Sequence, residues 1–563
     1  MNRTLPLILV LLSPVAVAQG GPGGGGPGGG GPGGPGAGGP LPPVPVPANN
    51  PITVNKTMLG KALFFEEQLS STSLVSCATC HISSAGGADP RSGGVQAPVH
   101  PGPDGVTGTA DDVLGSPGVP ATNAAGEYTG DPSFGVDFQV TSRRSMPVIN
   151  SAFVPQMFWD GRASGPFNDP VTGAPVSFGP VAPEVQASEP PLSAVEMAHG
   201  SEDWVAIAAR IEDADPLALA ENLPTGLANF LLGRDYPDLF QLAFGSPDVT
   251  PTRIIQAIAT YERTLISDGT PFDAFLNVGP SALTPAQNRG LMIFNGPGRC
   301  GLCHNGPLFS DMGFHNIGLR PPTEDIGRQA VTGNPQDLGR FKTPHLRNVG
   351  LRAPYFHNGS AQTLAEVVDF YARGGDFGQN QDPLIIPLNL NPGQRADLVA
   401  FLQTGLTDPA VANETGVFSR PTLYSESARR PITIGAGTAG TGGETPRMIA
   451  VEPPRIGNDN CTLASDGFLG GAPLLFASDT TLNLFGSVVF GARVYLGFGP
   501  SFQILPMGFA GGAGAGEGFG SISFSIPDDP SLIGVNFFGQ TFALDPGASG
   551  GLSATQAAWL TIF

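Results

Sequence analysis

The sequence predicts a multidomain protein in which a mainly α-helical region is followed by a C-terminal all-β, sandwich-like domain. With 563 residues the chain is longer than one domain usually is. Residues 51–410 show capped segments with helical spacing of apolar residues, whereas residues 448–563 show apolar and polar residues in alternation. Only five cysteines are present, so disulfide bonds are not the framework of this fold.

The N-terminus is predicted to be an export signal followed by a tether. Residues 1–18 contain an Arg, a short apolar run and the small-residue pattern Ala16-Val17-Ala18, as in a secretory signal peptide. Residues 19–50 are rich in Gly and Pro and are expected to be disordered. No later segment is long and apolar enough to span a membrane. We therefore expect an exported protein, either periplasmic or at the cell surface.

Four helix starts in the α-helical region are marked by capping residues. Such a residue accepts a hydrogen bond from the first turn, and Pro or Gln in that turn strengthens the signal. The four capping residues are Thr250, Thr284, Thr363 and Asn391. Long loops rich in Pro and Gly separate these helices, which is typical of a domain that wraps a cofactor.

The composition changes after residue 410. Residues 411–447 are predicted to be a linker, and residues 448–563 an all-β domain of unknown role, with runs such as "RVYLGF" and "SISFSIP". Cys461 has no cysteine partner within that domain, and we assign it no role.

The other four cysteines form two copies of the pattern CxxCH. These are Cys77-Ala78-Thr79-Cys80-His81 and Cys300-Gly301-Leu302-Cys303-His304. In an exported protein CxxCH indicates covalent attachment of a c-type haem, with the two thiols on the porphyrin and the His on the iron. A four-thiolate zinc site and a redox disulfide are the alternatives. The wide separation of the pairs, and the His after each, favour two haems.

The segments around both motifs resemble one family. They read "LGKALFFEEQLSSTSLVSCATCH", "MPVINSAFVPQMFWDGRA", "ERTLISDGTPFDAFL", "RGLMIFNGPGRCGLCHNGPLFSD" and "FKTPHLRNVGLRAPYFHNGSAQTLAEVVDFYARGG". In this order they resemble the bacterial di-haem cytochrome c peroxidases, including the MauG-like enzymes, over residues 51–408. The resemblance implies two cytochrome c-like haem domains: a peroxidatic one at residues 51–278, with His81, and an electron-transfer one at residues 279–410, with His304.

The resemblance also implies roles for three further residues. Trp159 matches the tryptophan between the haems, and Glu196 matches the acid/base near the peroxidatic haem. Tyr371 matches the sixth ligand of the second haem in MauG-like members, where other relatives have Met, and Met312 is a second candidate for that ligand. A core position for Trp159 or Tyr371 and a solvated surface position for Glu196 are the alternatives.

Other matches to the family are less complete. Its inter-haem calcium would be held here by Ser145, Arg352 and Pro354, but Ser145 replaces an Asn ligand. The distal His of some members would correspond to His100, which lies in an expanded loop. The distal Gln after "DGRA" is missing from the stretch that follows. Acidic residues of the expanded loop form a second candidate calcium site: Asp104, Asp111 and Asp112.

We expect a peroxidase that reduces hydrogen peroxide with electrons from a small redox protein such as a cytochrome c or cupredoxin. A MauG-like oxidase of a protein or organic substrate is the first alternative, and a surface-attached electron-transfer cytochrome is the second. The formal charge of −20 argues against nucleic-acid binding and suits a basic protein partner. A homodimer is one option for its assembly.

Overall fold

The computed structural model describes residues 38–93 and 98–563. The predicted signal peptide and residues 19–37 of the predicted tether lie outside this part of the chain. None of the helices in the described part is long and apolar enough to cross a membrane.

The region before residue 413 is mainly helical. Its α-helices are α1 Val54–Phe64, α2 Cys77–Cys80, α3 Ala182–Ala187, α4 Trp204–Asp213, α5 Thr225–Leu231, α6 Tyr236–Phe244, α7 Pro251–Glu262, α8 Pro271–Val278, α9 Pro285–Asn295, α10 Gln329–Thr332, α11 Leu364–Arg373, α12 Pro392–Ala400 and α13 Pro409–Ala412. The side chains of Thr250, Thr284, Thr363 and Asn391 accept hydrogen bonds from the first turns of α7, α9, α11 and α12. The four predicted helix starts are therefore confirmed.

Each half of this region contains a helix pair that approaches closely at a glycine. In the first half α1 packs on α7, where a Cβ on Gly60 would lie 1.9 Å from the carbonyl oxygen of Ala257. In the second half α9 packs on α12, where a Cβ on Gly290 would lie 2.2 Å from the carbonyl oxygen of Asp397. Any larger residue would push these helices apart and open the apolar clusters that they close.

Short strand pairs interrupt the helical region. They are β1 Pro117–Pro120 with β2 Phe138–Val140, β3 Phe167–Asn168 with β4 Pro175–Ser177, and β5 Phe314–His315 with β6 Phe341–Lys342. The first pair belongs to the expanded loop that follows His81. The second lies between the "DGRA" segment and α3.

The C-terminal region is built from antiparallel strands, as predicted. These are β7 Ile432–Ile434, β8 Arg447–Ile449, β9 Cys461–Leu469, β10 Pro473–Asp479, β11 Leu482–Val489, β12 Ala492–Leu496, β13 Gln503–Phe509, β14 Ala515–Phe524, β15 Asn536–Leu544, β16 Leu552–Ala554 and β17 Ala557–Thr561. The largest sheet has the order β13-β10-β15-β17-β7, with β16 paired to β15. A second sheet has the order β14-β9-β8, and β11 pairs with β12.

Two segments expected to be irregular contribute to the packed structure. Residues 432–434 of the predicted linker form the edge strand β7. In the predicted tether, Asn50 is 1% exposed, and its side chain donates to Glu184 and to the Gln256 carbonyl. Residues 38–50 are therefore held by contacts that composition does not reveal. The domain boundaries given above remain predictions.

The expanded loop is fastened to the β region. The buried Tyr128 hydroxyl donates to Glu452 Oε1 at 3.0 Å, and the Tyr128 amide donates to Ser521 Oγ at 3.1 Å. The same loop supports the segment before Glu196, since the Val119 amide donates to the Val195 carbonyl at 3.1 Å. A chain of contacts thus leads from the β region to the first candidate site.

Candidate functional site

The first CxxCH motif opens into a cavity of about 220 Å³. Cys77 and Cys80 occupy the single turn of α2, and the cavity lining includes both of them together with His81. The Nδ1–H group of His81 donates to the Gly87 carbonyl at 3.0 Å. This bond fixes the ring and leaves Nε2 as the nitrogen available to a metal.

The second CxxCH motif opens into a cavity of nearly the same size, about 200 Å³. Its lining includes Cys300, Cys303 and His304, and the Nδ1–H group of His304 donates to the Phe309 carbonyl at 2.9 Å. The two motifs therefore build the same local arrangement, a turn with two thiols followed by an oriented imidazole.

This geometry does not fit the zinc or the disulfide alternative. The two cysteine pairs line different cavities, and all four thiols are free. Within the described residues, the one cluster with metal-ligand spacing combines Cys303 with Asp311 and His315.

The first cavity suits a haem at its polar end as well. Arg144 and His345 line it and are 6% and 4% exposed. Arg144 Nε has no hydrogen-bond partner within the described chain. A buried donor without an acceptor is costly, and a carboxylate of a haem would satisfy it. The residues present therefore fit the group.

Trp159 contributes to the walls of both cavities. Its Nε1–H group donates to the Arg144 carbonyl at 2.9 Å, and its own carbonyl accepts from the Lys342 amide at 2.8 Å. Lys342 also lines both cavities and is 4% exposed, and burial lowers its pKa to about 7. The predicted position between the two motifs is the position that Trp159 occupies, while its role remains a prediction.

Glu196 lines the first cavity. Burial raises the pKa of its carboxyl above the ordinary value, the positive charge of Arg162 opposes this shift, and the charge of Glu189 adds to it. Arg162 lines the same cavity. A carboxyl with a raised pKa, beside a cation, is suited to accept and return a proton.

Sequence reasoning missed three residues that line the same cavity. Gln186 lies on α3, and the β3–β4 hairpin separates it from the "DGRA" segment where a glutamine was sought. His345 and Glu262 were not singled out, although Glu262 Oε2 has no hydrogen-bond partner among the described residues and burial raises the pKa of Glu262 to about 8. A useful signal was the Pro at the start of "APEVQA", which marks a new helix after the hairpin.

The two candidates for the sixth haem ligand at the second motif, Tyr371 and Met312, lie in different cavities. Tyr371 lines the His304 cavity, where burial raises the pKa of its phenol far above the ordinary value. Met312 lines the His81 cavity instead and packs near Val154 and Met157. The structure thus brings Tyr371, and not Met312, to the cavity of His304.

The structure does not bring His100 to the His81 cavity. His100 pairs with Val113 across an isolated bridge and lines a different cavity, together with Arg143 and His357. Residues 94–97, which precede it, lie outside the described part of the chain. The acidic loop closes on itself, because Asp111 and Asp112 accept hydrogen bonds from the Asp104 and Gly108 amides.

The three residues expected to hold calcium make other contacts. The Ser145 hydroxyl accepts from the Asp89 amide at 2.9 Å. The Arg352 carbonyl accepts from Arg144 Nη1 at 2.9 Å. Of the three oxygens, the Pro354 carbonyl alone has no recorded donor in the described structure. This donor set does not fit calcium, which requires six to eight oxygen ligands.

Comparison with known proteins identifies the family. Residues 54–279 match the model of the di-haem cytochrome c peroxidases. The chain is 30% identical over 425 residues to the cytochrome-c peroxidase IdrP1 of Pseudomonas sp. strain SCT. This alignment covers 70% of this chain and 90% of the relative. The chain belongs to the di-haem cytochrome c peroxidase family.

Two other members of the di-haem cytochrome c peroxidase family extend the comparison. The methylamine utilization protein MauG of Methylorubrum extorquens is 30% identical over 370 residues, covering 65% of this chain and 82% of the relative. Cytochrome c551 peroxidase of Nitrosomonas europaea is 30% identical over 366 residues, covering 64% and 82%. As a family member, this chain is an oxidoreductase with haem cofactors.

Proposed function

We propose that the protein is an exported di-haem peroxidase that reduces hydrogen peroxide to water with electrons from a small redox protein. The observation that supports it best is Trp159 in the wall of both CxxCH cavities. Two such cavities joined by one aromatic residue suit a reaction site and an electron-entry site in the same chain. Calcium is not part of this proposal.

Each CxxCH motif would hold its cofactor in the same way. The two thiols would form the thioether bonds to a c-type haem, and the imidazole Nε2 would bind the iron. When bound, the haems supply the redox chemistry and the place where peroxide reacts. The backbone carbonyls of Gly87 and Phe309 fix the two imidazoles, which sets their tautomer and strengthens Nε2 as a ligand.

The side chains of the first cavity transfer protons and orient the peroxide. The Glu196 carboxylate takes the proton from one peroxide oxygen and returns it to the other as the O–O bond breaks. Arg162 and Gln186 supply donors that orient the peroxide in the same cavity. The balance is one hydrogen peroxide, two electrons and two protons to two waters.

Electrons enter through the second cavity and cross by way of Trp159. The −20 formal charge suits a basic donor protein, because complementary charge speeds encounter. The predicted signal peptide and the two CxxCH motifs support the export part of this proposal.

Tyr371 favours a second candidate function, oxidation of a protein or organic substrate. A phenolate ligand stabilises ferric iron and lowers its potential relative to Met. Tyr371 lines the His304 cavity and Met312 does not, which is the arrangement that this alternative requires.

The test uses purified holoprotein in the oxidised and half-reduced states. Peroxide is added together with a reduced small cytochrome c, and absorption spectra follow both proteins. We expect a high-spin haem that reacts at once, and two electrons consumed per peroxide. Rapid reaction without donor turnover would favour the oxidase. Two six-coordinate haems that ignore peroxide, even half-reduced, would overturn both enzymatic proposals.

A further inference from the structure

Two buried arginines occupy the region where the family resemblance places calcium. Arg144 and Arg352 are 6% and 7% exposed. Arg144 Nη1 donates to the Arg352 carbonyl at 2.9 Å, and Arg144 Nη2 donates to the Asp89 carbonyl at 3.0 Å. Arg352 Nη2 donates to the carbonyls of His345 and Arg347. A guanidinium thus already uses one of the three oxygens expected to bind the ion.

The remaining ligands are too weak to attract calcium. Ser145 offers a neutral hydroxyl that already accepts from a backbone amide. The Asp89 carboxylate interacts electrostatically with Arg144. Both of its oxygens already accept hydrogen bonds from Arg91, at 3.0 and 2.8 Å. Since calcium sites are usually built from free carboxylates and carbonyls, this region lacks the charge that the ion needs.

The two arginines also repel a cation. Guanidinium groups stay protonated at neutral pH even when they are buried. Both side chains still carry a charge at neutral pH, and a divalent ion beside them would face two positive charges in a poorly solvated place.

We infer that this protein binds no calcium at the inter-haem position, and that the Arg144 guanidinium joins the segments which the ion would otherwise join. It connects Asp89, eight residues after His81, to Arg352 in the second half. The Arg144 backbone also positions Trp159, which lines both cavities. The Arg144 carbonyl accepts from Trp159 Nε1, and the Arg144 amide donates to the His357 carbonyl at 2.8 Å. This link is part of the chain, so a chelator cannot remove it.

The test measures the metal content of the holoprotein. A variant with Asp104→Asn, Asp111→Asn and Asp112→Asn first removes the acidic loop as another source of calcium. The protein is equilibrated with millimolar calcium chloride, freed of unbound ion by gel filtration, and analysed for calcium and iron by mass spectrometry. We expect two irons per chain and calcium at background. One calcium per two irons in this variant would overturn the inference.

A second variant tests which residues exclude the ion. In the same background, Ser145→Asn is combined with Arg352→Thr. The first substitution restores the Asn ligand that the family resemblance implies, and the second removes one positive charge. We expect it to retain one calcium per two irons, and EGTA to remove that calcium. A haem-loaded double variant with calcium at background would show that these two residues do not exclude the ion. EGTA should leave the visible and electron paramagnetic resonance (EPR) spectra of the first variant unchanged.

Discussion

Burial raises the pKa of the Glu196 carboxyl most strongly, the charge of Arg162 opposes that rise, and the charge of Glu189 adds to it. Replacing Glu196 with Gln removes the proton acceptor while keeping the shape of the side chain. We expect the reaction with peroxide to slow by about 10²–10⁴-fold, because that is the usual contribution of general acid–base catalysis. Stopped-flow absorption measures the rate. Glu212→Gln, at an exposed position, is the matched control.

The raised pKa of Glu196 also predicts how the rate of the reaction with peroxide depends on pH. The carboxylate form accepts the proton, so the rate should fall as the pH drops through the Glu196 pKa, which lies above that of an exposed Glu. This acidic limb should vanish in Glu196→Gln. A limb that persists unchanged in the variant would assign it to another group.

Tyr371 and Tyr355 line the same cavity and so form a matched pair for testing iron ligation. In Tyr371→Phe we expect loss of the phenolate signature in the EPR spectrum and a higher reduction potential, because an anionic ligand that stabilises ferric iron is gone. Tyr355→Phe should leave both properties unchanged. Identical spectra for wild type and Tyr371→Phe would mean that Tyr371 is a packing residue.

At the scale of residues, motifs predicted more than isolated positions did. CxxCH has a fixed spacing that its chemistry demands, so both cavities could be expected from the sequence. Gln186 could not, because the β3–β4 hairpin shifted it along the chain. His345 gave no local signal, because its importance comes from a cavity formed by distant segments.

At the scale of elements, the expanded loop and the β region depend on each other through Tyr128. Tyr128→Phe leaves Glu452 Oε1 without its donor in a buried place. We expect a loss of about 1–3 kcal/mol in unfolding free energy, the usual cost of an unsatisfied buried polar group. Chemical denaturation of the holoprotein measures it. The exposed neighbour Glu127 provides the control, and Glu127→Gln should change little; equal losses would contradict the argument.

Helix starts were predictable because a capping box is local, whereas order in Pro- and Gly-rich segments was not. Residues 38–50 are rich in Pro and Gly, and residues 432–434 lie directly before the Gly-rich stretch 435–443. Their order comes from partners far away in sequence, such as Glu184 for Asn50 and β17 for β7. Composition reports what a segment does alone, and these segments gain structure only by contact.

At the scale of the whole molecule, two buried glutamates join distant parts of the chain. Glu67 accepts from the Tyr424 and Ser425 amides, and Glu452 accepts from Tyr128 and the Thr462 amide. Burial raises the pKa of each to about 8, from an ordinary value of 4.5. The folded state therefore binds more protons than the unfolded state between these values, and the free energy of unfolding falls as the pH rises.

We therefore expect the melting temperature of the holoprotein to fall more, or rise less, from pH 7 to pH 8 than that of Glu452→Gln. The variant keeps an acceptor oxygen without the ionisable group, and Lys342, whose lowered pKa acts in the opposite direction, contributes equally to both proteins. Differential scanning calorimetry at fixed ionic strength measures both. Equal pH dependence in the two proteins would contradict this reasoning.

Lys342 lies against both cavities, and burial brings its pKa to about 7. Loss of its positive charge between pH 6 and pH 8 should therefore lower the reduction potentials of both haems together. Redox titrations of wild type and Lys342→Met at these pH values measure the effect, and wild-type potentials that move in opposite directions would contradict it. The gap between the two potentials, which drives the internal electron transfer, would stay far more constant than either one. Acidity would then change how readily an external donor gives up its electron, while the downhill step inside the molecule is preserved.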